Sequence, residues 1–90
     1  MRLTWSRQSL SDRESILDYI SQDDPVAAIY LDDEFETCAT LACLHPEMHR
    51  TGRVAGTREI IVHPHYVMIY RLKKDELNIL RVLHTAQLWP

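Results

Sequence analysis

The sequence predicts a single α+β domain in which a helical hairpin packs on one face of an antiparallel sheet, in the order β-α-α-β-β-β. Three observations favour this fold class. Two stretches in the first half combine capping residues with apolar side chains at helical spacing, three strand-like runs fill the second half, and only short turns separate those runs. A chain of 90 residues suffices for one core but not for two, so we expect one domain over residues 1–90.

The chain is expected to begin with a short strand and a helix. Leu3 and Trp5 alternate with polar residues as in a strand, and Ser6 then fits the N-cap of the helix. A capping box from Ser11 to Glu14 would start the helix one turn later. The apolar residues expected on its buried side are Leu10, Ile16, Leu17 and Ile20, and those expected in water are Asp12, Arg13 and Glu14.

A second helix is predicted from Asp24 as N-cap and Pro25 as first residue, ending before Pro46. Its expected buried residues are Ala28, Leu31, Phe35, Cys38 and Ala42, opposite Asp32, Asp33 and Glu36. Cys38 and Cys43 are five residues apart, on different sides of this helix, so we expect two reduced thiols rather than a disulfide.

After a loop containing Gly52 and Gly56, the sequence predicts three strands joined by hairpin turns. The strands are expected at residues 58–62, 66–72 and 76–83, with turns at His63-Pro64-His65 and Lys73-Lys74-Asp75. Apolar residues occur at both parities of these strands. The face away from the helices is therefore expected to be only partly wet and able to receive a ligand or partner.

Charge is distributed unevenly. Residues 1–50 hold four basic and ten acidic side chains, a net charge of −6, whereas residues 51–90 hold six basic and three acidic ones, a net charge of +3. This pattern is typical of a sheet half that approaches a polyanion, although an ordinary solvated surface is an alternative. No apolar run is long enough to cross a bilayer, and the amino terminus turns polar after five residues. We therefore expect a cytoplasmic protein without a membrane partner.

Three segments, GRVAGTRE, HPHYVMIYRL and ILRVLHTAQLWP, together with the order of elements, resemble the RelE/ParE superfamily of toxins from bacterial type II toxin–antitoxin modules. The resemblance covers the whole chain. It implies a small toxin that a cognate antitoxin protein, encoded beside it, holds inactive. RelE-like members cut mRNA on the ribosome, and ParE-like members poison DNA gyrase.

The resemblance separates these two activities only in part. RelE-like ribonucleases have an arginine where this chain has Val67 and an aromatic residue in a tail after the last strand, so that arginine-rich set is missing here. YafQ-like ribonucleases match better, since His84 falls at their terminal histidine, although His65 stands where they have an aspartate. A Val-Leu-His segment is also common in ParE-like toxins, so His84 decides nothing by itself.

A metal-free ribonuclease needs a base for the 2′-hydroxyl, an acid for the leaving oxygen, and cations for the phosphate. Histidine suits both proton transfers near neutral pH. The candidate acid–base residues are His84, His65 and His63, and the candidate phosphate- or RNA-binding residues are Arg58, Arg71, Arg81, Tyr66, Gln87 and Trp89. We expect these imidazoles and guanidinium groups to meet near one hollow on the helix-free face. Strand alternation puts Arg81 with Leu83 and His84 with Val82, so at least one of the two lies outside that hollow unless a bulge intervenes.

A purely structural role is the alternative to each of these assignments. A His-Pro-His segment can simply be a turn, Arg81 can pair with an acid, and Trp89 can anchor the tail against the core or an antitoxin. His63 and His65 could share zinc with His45 or His49, but no cysteine or acidic spacing completes such a site. No metal and no cofactor are therefore expected.

Two activities and one inactive role remain as hypotheses. A sequence pI of about 5.9 argues against a ribosome-docking nuclease, whereas the basic second half and the histidines argue for one. The sequence favours a metal-independent mRNA endoribonuclease (mRNA interferase) acting with the ribosome. A gyrase poison acting by binding is the alternative, and a toxin-derived module that only binds the antitoxin as co-repressor is the third.

Overall fold

Two helices and five strands follow one another in the part of the chain that the structure describes. In order they are β1 (Arg2–Trp5), α1 (Arg7–Ser21), α2 (Pro25–Leu44), β2 (Arg50–Thr51), β3 (Thr57–His63), β4 (Tyr66–Lys73) and β5 (Glu76–His84). The computed structural model describes residues 1–87 and residue 89. The predicted α+β class and helical hairpin are confirmed, and β3, β4 and β5 match their predicted bounds to within one residue.

The strands form one sheet in the order β1-β5-β4-β3-β2. β1 runs parallel to β5, and the other neighbours are antiparallel. The α1–α2 hairpin therefore carries the chain across the sheet, and the chain then returns strand by strand toward β1. Within the described residues, neither helix is long and apolar enough to cross a membrane.

β2 was not predicted, because its two residues lie in a segment that reads as a loop. It pairs with β3 through Arg50 opposite Glu59 and Thr51 opposite Arg58. The carboxylate of Glu59 is only 3% exposed, and it accepts from the Arg50 guanidinium at 2.9 Å and from the Arg53 backbone N–H at 3.2 Å. A buried carboxylate needs cationic and N–H partners. The loop supplies them from Arg50 and Arg53, and it therefore lies against the edge of β3.

Both helix starts are as predicted. The Ser6 hydroxyl accepts from the Ser9 N–H at 2.9 Å, and the Asp24 carboxylate accepts from the Ala27 N–H at 3.1 Å. The alternative start at Ser11 is wrong. The expectation that Leu10 is buried is also wrong: its side chain is 51% exposed, and the small Ser9 is buried in its place.

The core lies between the helical hairpin and the sheet. α2 contributes Ala28, Phe35 and Ala42 as predicted, together with Ala39, while Leu31 and Cys38 pack at the margin of the core. The sheet contributes Ile60, Tyr66, Met68, Tyr70, Leu77, Ile79 and Val82. Cys38 and Cys43 are both free thiols, as predicted.

Arg13 and Asp12 do not project into water, which corrects the prediction for α1. The Arg13 guanidinium lies 4.5 Å from the Trp5 ring centroid and donates to Asp32 at 2.9 and 3.0 Å and to Glu36 at 2.7 Å. One side chain thus connects β1, α1 and α2. The two acids, which we predicted on the solvent side of α2, instead face the neighbouring helix because they neutralise this half-buried cation.

A bulge at Leu80 changes the alternation of β5. Ile79 is opposite Tyr70 and Arg81 is opposite Ile69, so Leu80 has no counterpart in β4. Beyond the bulge, Val82 joins Leu77 and Ile79 in the core although their parities differ.

Asp12 holds the edge of β5 at this point, just where β1 has ended. Its carboxylate accepts from the Val82 backbone N–H at 2.9 Å and receives two hydrogen bonds from Arg81, at 2.8 and 3.0 Å. Ser6 adds a bond to the Leu80 carbonyl at 2.8 Å. Side chains of α1 and its cap therefore take the place of a neighbouring strand.

The helix-free face carries a second, smaller apolar cluster. Val67, Ile69 and Leu83 are buried there, and Leu80 and Trp89 pack against them. The prediction of apolar residues on both faces is confirmed. The middle of this face is covered by the chain's own tail residue Trp89 rather than left open for a ligand.

Arg58 and His49 lie together at the far end of the sheet. The Arg58 guanidinium donates to the His49 carbonyl at 2.8 Å and to the Glu47 carbonyl at 3.4 Å, and the His49 ring meets the edge of Tyr70 at 6.1 Å. Burial, assisted by the Arg58 charge, lowers the pKa of the His49 imidazole. The His49 imidazole is therefore harder to protonate in the folded protein than in the unfolded chain.

Replacing Asp12 by alanine should destabilise the fold by about 2–3 kcal/mol, because it leaves the Val82 N–H and the half-buried Arg81 without their acceptor. Asp12→Asn should cost less, since its amide oxygen still accepts from Val82. Denaturant unfolding followed by circular dichroism measures both. Asp18→Ala, on the exposed side of the same helix, should change stability by no more than about 0.5 kcal/mol; equal losses for Asp12→Ala and Asp18→Ala would contradict this account.

His49 should make stability sensitive to mild acid. Unfolded His49 takes up a proton near its ordinary pKa of about 6.5, whereas the folded imidazole resists protonation. Stability is therefore complete above that pH and falls as the pH drops toward the lower folded pKa. His49→Gln should flatten the stability profile between pH 7 and 5, as measured by denaturant unfolding. Met48→Gln, at an exposed neighbouring position, is the control, and a His49→Gln profile as steep as that control would contradict this assignment.

Candidate functional site

The ends of three strands bring the predicted histidines to one edge of the sheet. His63 ends β3, Pro64 and His65 form the turn, and Tyr66 begins β4 opposite both His63 and His84 at the end of β5. The Thr85 N–H donates to the His65 carbonyl at 2.8 Å and joins the tail to the turn. His63, Tyr66 and His84 thus form a row across three strands, with His65 above it.

These four residues, called here the imidazole cluster, are in close contact. Ring centroids are 5.5 Å apart for His63 and His65, 5.7 Å for His65 and His84, and 5.4 Å for Tyr66 and His84. The His65 and His84 rings stack with an interplanar angle of 8°. His63 and His65 are exposed, His84 is half-buried and Tyr66 is buried. The structure therefore brings together all three predicted acid–base residues and Tyr66.

Backbone hydrogen bonds occupy two of the imidazoles. The Nδ1 atom of His84 accepts from the Ala86 N–H at 3.0 Å, and the Nδ1 atom of His63 accepts from the His65 N–H at 3.2 Å. A ring whose Nδ1 accepts carries the hydrogen of its neutral form on Nε2. In this geometry His84 and His63 present donors to the solvent, and neither offers a free lone pair to take a substrate proton.

The cluster lies on the helix side of the sheet edge, which corrects the expectation that it lies on the helix-free face. Tyr66 packs edge-on against Phe35 with centroids 6.1 Å apart. A hollow of about 330 Å³ is bounded by Tyr66, His84 and the α1 residues Ile16 and Tyr19. The bulge in β5 accounts for the correction, because it turns His84 toward the helices together with Val82.

Tyr66 is not a base in this setting. Burial raises the pKa of its phenol, and the nearby Tyr19 adds to the effect. The phenol therefore stays protonated at neutral pH and contributes a flat apolar surface with one hydroxyl.

The predicted phosphate-binding arginines are at three different places, none of them at the cluster. Arg58 is held by the carbonyls of His49 and Glu47. Arg81 is held by Asp12, which raises the pKa of the guanidinium. Arg71 is exposed on β4, five residues from Tyr66, which is about 16 Å along a strand.

The tail residues have structural contacts. The Gln87 side-chain oxygen accepts from the His84 backbone N–H at 2.7 Å, and the Gln87 N–H donates to the His84 carbonyl at 2.9 Å. Trp89 packs on the helix-free cluster, with the Arg81 guanidinium 5.8 Å from its ring centroid. Gln87 thus closes the end of β5, and Trp89 anchors the tail on the face opposite the imidazole cluster.

Sequence reasoning missed the α1 and α2 residues beside the cluster. Tyr19 borders the hollow next to His84, and Tyr30 and Glu34 border a groove next to His63. The only sequence feature that pointed to Tyr19 is its spacing of three residues from Ile16 on the same helix. Across residues 1–87 and 89, no group of three or more His, Cys, Asp or Glu side chains is placed to hold a metal ion.

Comparison with known structures finds the same fold in toxins of bacterial toxin–antitoxin systems. A chain of the chromosomal ParDE toxin–antitoxin system of Pseudomonas aeruginosa superposes with a TM-score of 0.83 at 22% identity, covering 93% of this chain and 95% of that one. The toxin YafQ of Escherichia coli superposes with a TM-score of 0.66 at 17% identity over the whole of both chains. At these identities the two likenesses establish the fold.

Sequence comparison establishes the family. The putative toxin Y4kP of Sinorhizobium fredii is 33% identical over 90 residues, which cover 99% of this chain and 93% of that protein. The toxin RelE2 of Caulobacter vibrioides is 33% identical over 87 residues, covering 97% and 98%. Residues 3–89 match the family described as the ParE toxin of the type II toxin–antitoxin system parDE. This chain therefore belongs to the ParE toxin family, within the RelE/ParE superfamily of type II toxin–antitoxin systems.

Proposed function

We propose that this toxin, which a cognate antitoxin neutralises, arrests growth by binding and poisoning DNA gyrase rather than by cutting mRNA. The main support for this proposal is that the imidazole cluster lacks the phosphate-binding cations that a ribonuclease site needs. None of the three predicted phosphate-binding arginines lies at the cluster, and two of its three histidines accept backbone N–H groups at Nδ1. The family match to ParE toxins supports the same target.

The need for charge neutralisation strengthens this choice. Cleavage of a phosphodiester places growing negative charge on the phosphate, and fixed cations must be present to stabilise it. Here Arg58 and Arg81 already satisfy acceptors of the protein itself. Recruiting them would leave the Asp12 carboxylate without its guanidinium partner and two backbone carbonyls without their donor. A surface that acts by binding alone has no such requirement.

Electrostatics point the same way. Binding to ribosomal RNA depends on a positive field. The chain has a net charge of −3 with histidines neutral, and residues 1–50 alone have a net charge of −6. Such a surface suits a protein partner better than an RNA one.

A second candidate, a metal-independent mRNA endoribonuclease acting with the ribosome, is favoured by one observation. His65 and His84 stack at 5.7 Å beside a hollow, and no described residue hydrogen-bonds to the His65 ring. Two adjacent imidazoles of which one keeps a free lone pair form the minimal acid–base pair. This candidate requires the ribosome to supply the cations.

The two candidates differ in what His65 contributes. Under the gyrase proposal, His65→Ala should leave growth arrest and inhibition of supercoiling unchanged, because the imidazole takes part in no chemistry. Under the nuclease alternative, loss of an acid or base should lower mRNA cleavage by about 10²- to 10⁴-fold. Purified toxin is assayed for gyrase supercoiling, trapped gyrase–DNA complexes and mRNA cleavage on translating ribosomes, each with and without antitoxin.

His45→Ala, another exposed histidine outside the cluster, is the matched control. Trapped gyrase complexes with intact mRNA in both variants are the expected result. Cleaved mRNA that disappears in His65→Ala and persists in His45→Ala would overturn the gyrase proposal in favour of the endoribonuclease. Binding to the antitoxin without either activity would support the third hypothesis, a toxin-derived module that only binds the antitoxin.

A further inference from the structure

The helix-free face of the sheet changes character along β4. Val67 and Ile69 belong to its apolar cluster, and the alternation of the strand places Arg71 and Lys73 on the same face, farther along. The side chains of Arg71 and Lys73 are exposed. This face is therefore apolar where Trp89 packs on it and basic toward the turn between β4 and β5.

Two further cations lie at this end of the sheet. Arg2 on β1 and Lys73 on β4 are both opposite Glu76 on β5, so the three residues form a row across neighbouring strands. Lys74 follows in the turn. A hollow of about 400 Å³ is lined by Arg2, Lys73, Lys74, Asp75 and Glu76. The four cations are called here the basic end: Arg2, Arg71, Lys73 and Lys74.

Three of these cations are not neutralised by the protein itself. Arg2 donates to Glu76 at 2.6 Å. Within residues 1–87 and 89, no carboxylate forms an ion pair with Arg71, Lys73 or Lys74. The charges of these three side chains are therefore available to an anion from outside the molecule.

Lys74 occupies a position that does not suit a lysine. The turn closes with Lys73 opposite Glu76, which leaves Lys74 and Asp75 as its two central residues. The backbone φ of Lys74 is +55°. Glycine, asparagine and aspartate are the usual residues at positive φ in such turns, because a larger side chain crowds the backbone there. A lysine at a position where glycine would fit better points to a role for its charge.

The acidic part of the molecule lies on the other side of the sheet. Residues 1–50, which include α1 and α2, have a net charge of −6, and both helices pack on the face opposite Arg71 and Lys73. A polyanion can therefore approach the basic end without meeting the acidic helices. The net charge of the whole chain is −3, which disfavours tight binding to free DNA. Such a contact needs a second component that holds the polyanion in place.

We propose that the basic end contacts the phosphate backbone of the duplex DNA that gyrase holds, and that this contact helps the toxin to trap the gyrase–DNA complex. The inference rests on the proposed gyrase target. Gyrase supplies the component that brings DNA to the toxin, and lysine and arginine bind phosphates without regard to base sequence. Arg71 and Lys73 are two residues apart on one strand, about 7 Å, so they can contact separate phosphates.

Removing both β4 cations tests the contact. The double variant Arg71→Gln, Lys73→Gln should require roughly tenfold more toxin to trap half of the gyrase–DNA complexes, because two phosphate contacts are lost. The salt dependence of trapping should become less steep by about 0.9 in log–log slope for each contact. Binding of the toxin to gyrase without DNA, measured by isothermal titration calorimetry, should not change. Arg7→Gln, an exposed arginine on α1, is the matched control and should behave like the wild type.

The outcomes separate this inference from the gyrase proposal. If the wild-type toxin traps complexes and the double variant traps them as well as Arg7→Gln does, the DNA contact is wrong and the gyrase target stands. Weaker binding of the double variant to DNA-free gyrase would assign the basic end to the protein, which also overturns the DNA contact. If the wild-type toxin traps no complex, the gyrase proposal fails and this inference fails with it.

Substitution of Lys74 separates loss of charge from loss of stability. Lys74→Gly relieves the positive φ, so its thermal unfolding midpoint should not fall, whereas its trapping should weaken and its salt slope should decrease by about 0.9. Lys74→Arg keeps the charge and should trap complexes like the wild type. Circular dichroism follows unfolding of both variants. Equal trapping by the glycine and arginine variants would contradict the contact.

Discussion

The contact between Asp12 and β5 determines the arrangement of the rest of the molecule. β1 covers only the first half of β5, and the second half would otherwise be an open edge. One carboxylate of α1 accepts the Val82 N–H and holds the Arg81 guanidinium, so the first helix closes this edge where the strand ends. The bulge at Leu80 lies at the same point. It moves Val82 and His84 to the helix side and leaves Leu83 on the other face, where Trp89 covers it.

The use of arginines in structural contacts explains why the histidines and the arginines are apart. A 90-residue chain has a small core, so polar contacts between its parts matter for the fold. Three arginines make such contacts: Arg13 joins two helices and a strand, Arg58 holds the chain after α2, and Arg81 holds α1 to the sheet. Cations committed in this way are not free to stabilise a reacting phosphate. The proposed mode of action, binding alone, would leave these contacts intact.

The two outer margins of the sheet differ in a way that suits a protein whose activity is controlled by a partner. The margin at β5 is closed by α1, whereas the margin at β3 is open beyond β2 and adjoins an apolar groove with an acidic wall. The imidazole cluster borders this open margin through His63.

The sequence by itself determined the local structure. Ser6, Asp24 and Pro25 set the starts of the helices, alternation and turn residues set β3 to β5, and the resemblance of three segments identified the superfamily, because each of these depends on residues close together in the chain. Only the tertiary structure decided that β2 exists, that Asp12 and Arg13 are paired, and that His84 turns toward the helices. Those outcomes depend on a buried carboxylate finding its cations and on a bulge whose position is fixed by a helix 70 residues away in sequence. Such long-range constraints leave no local pattern, because the residues that satisfy them meet only after the chain has folded.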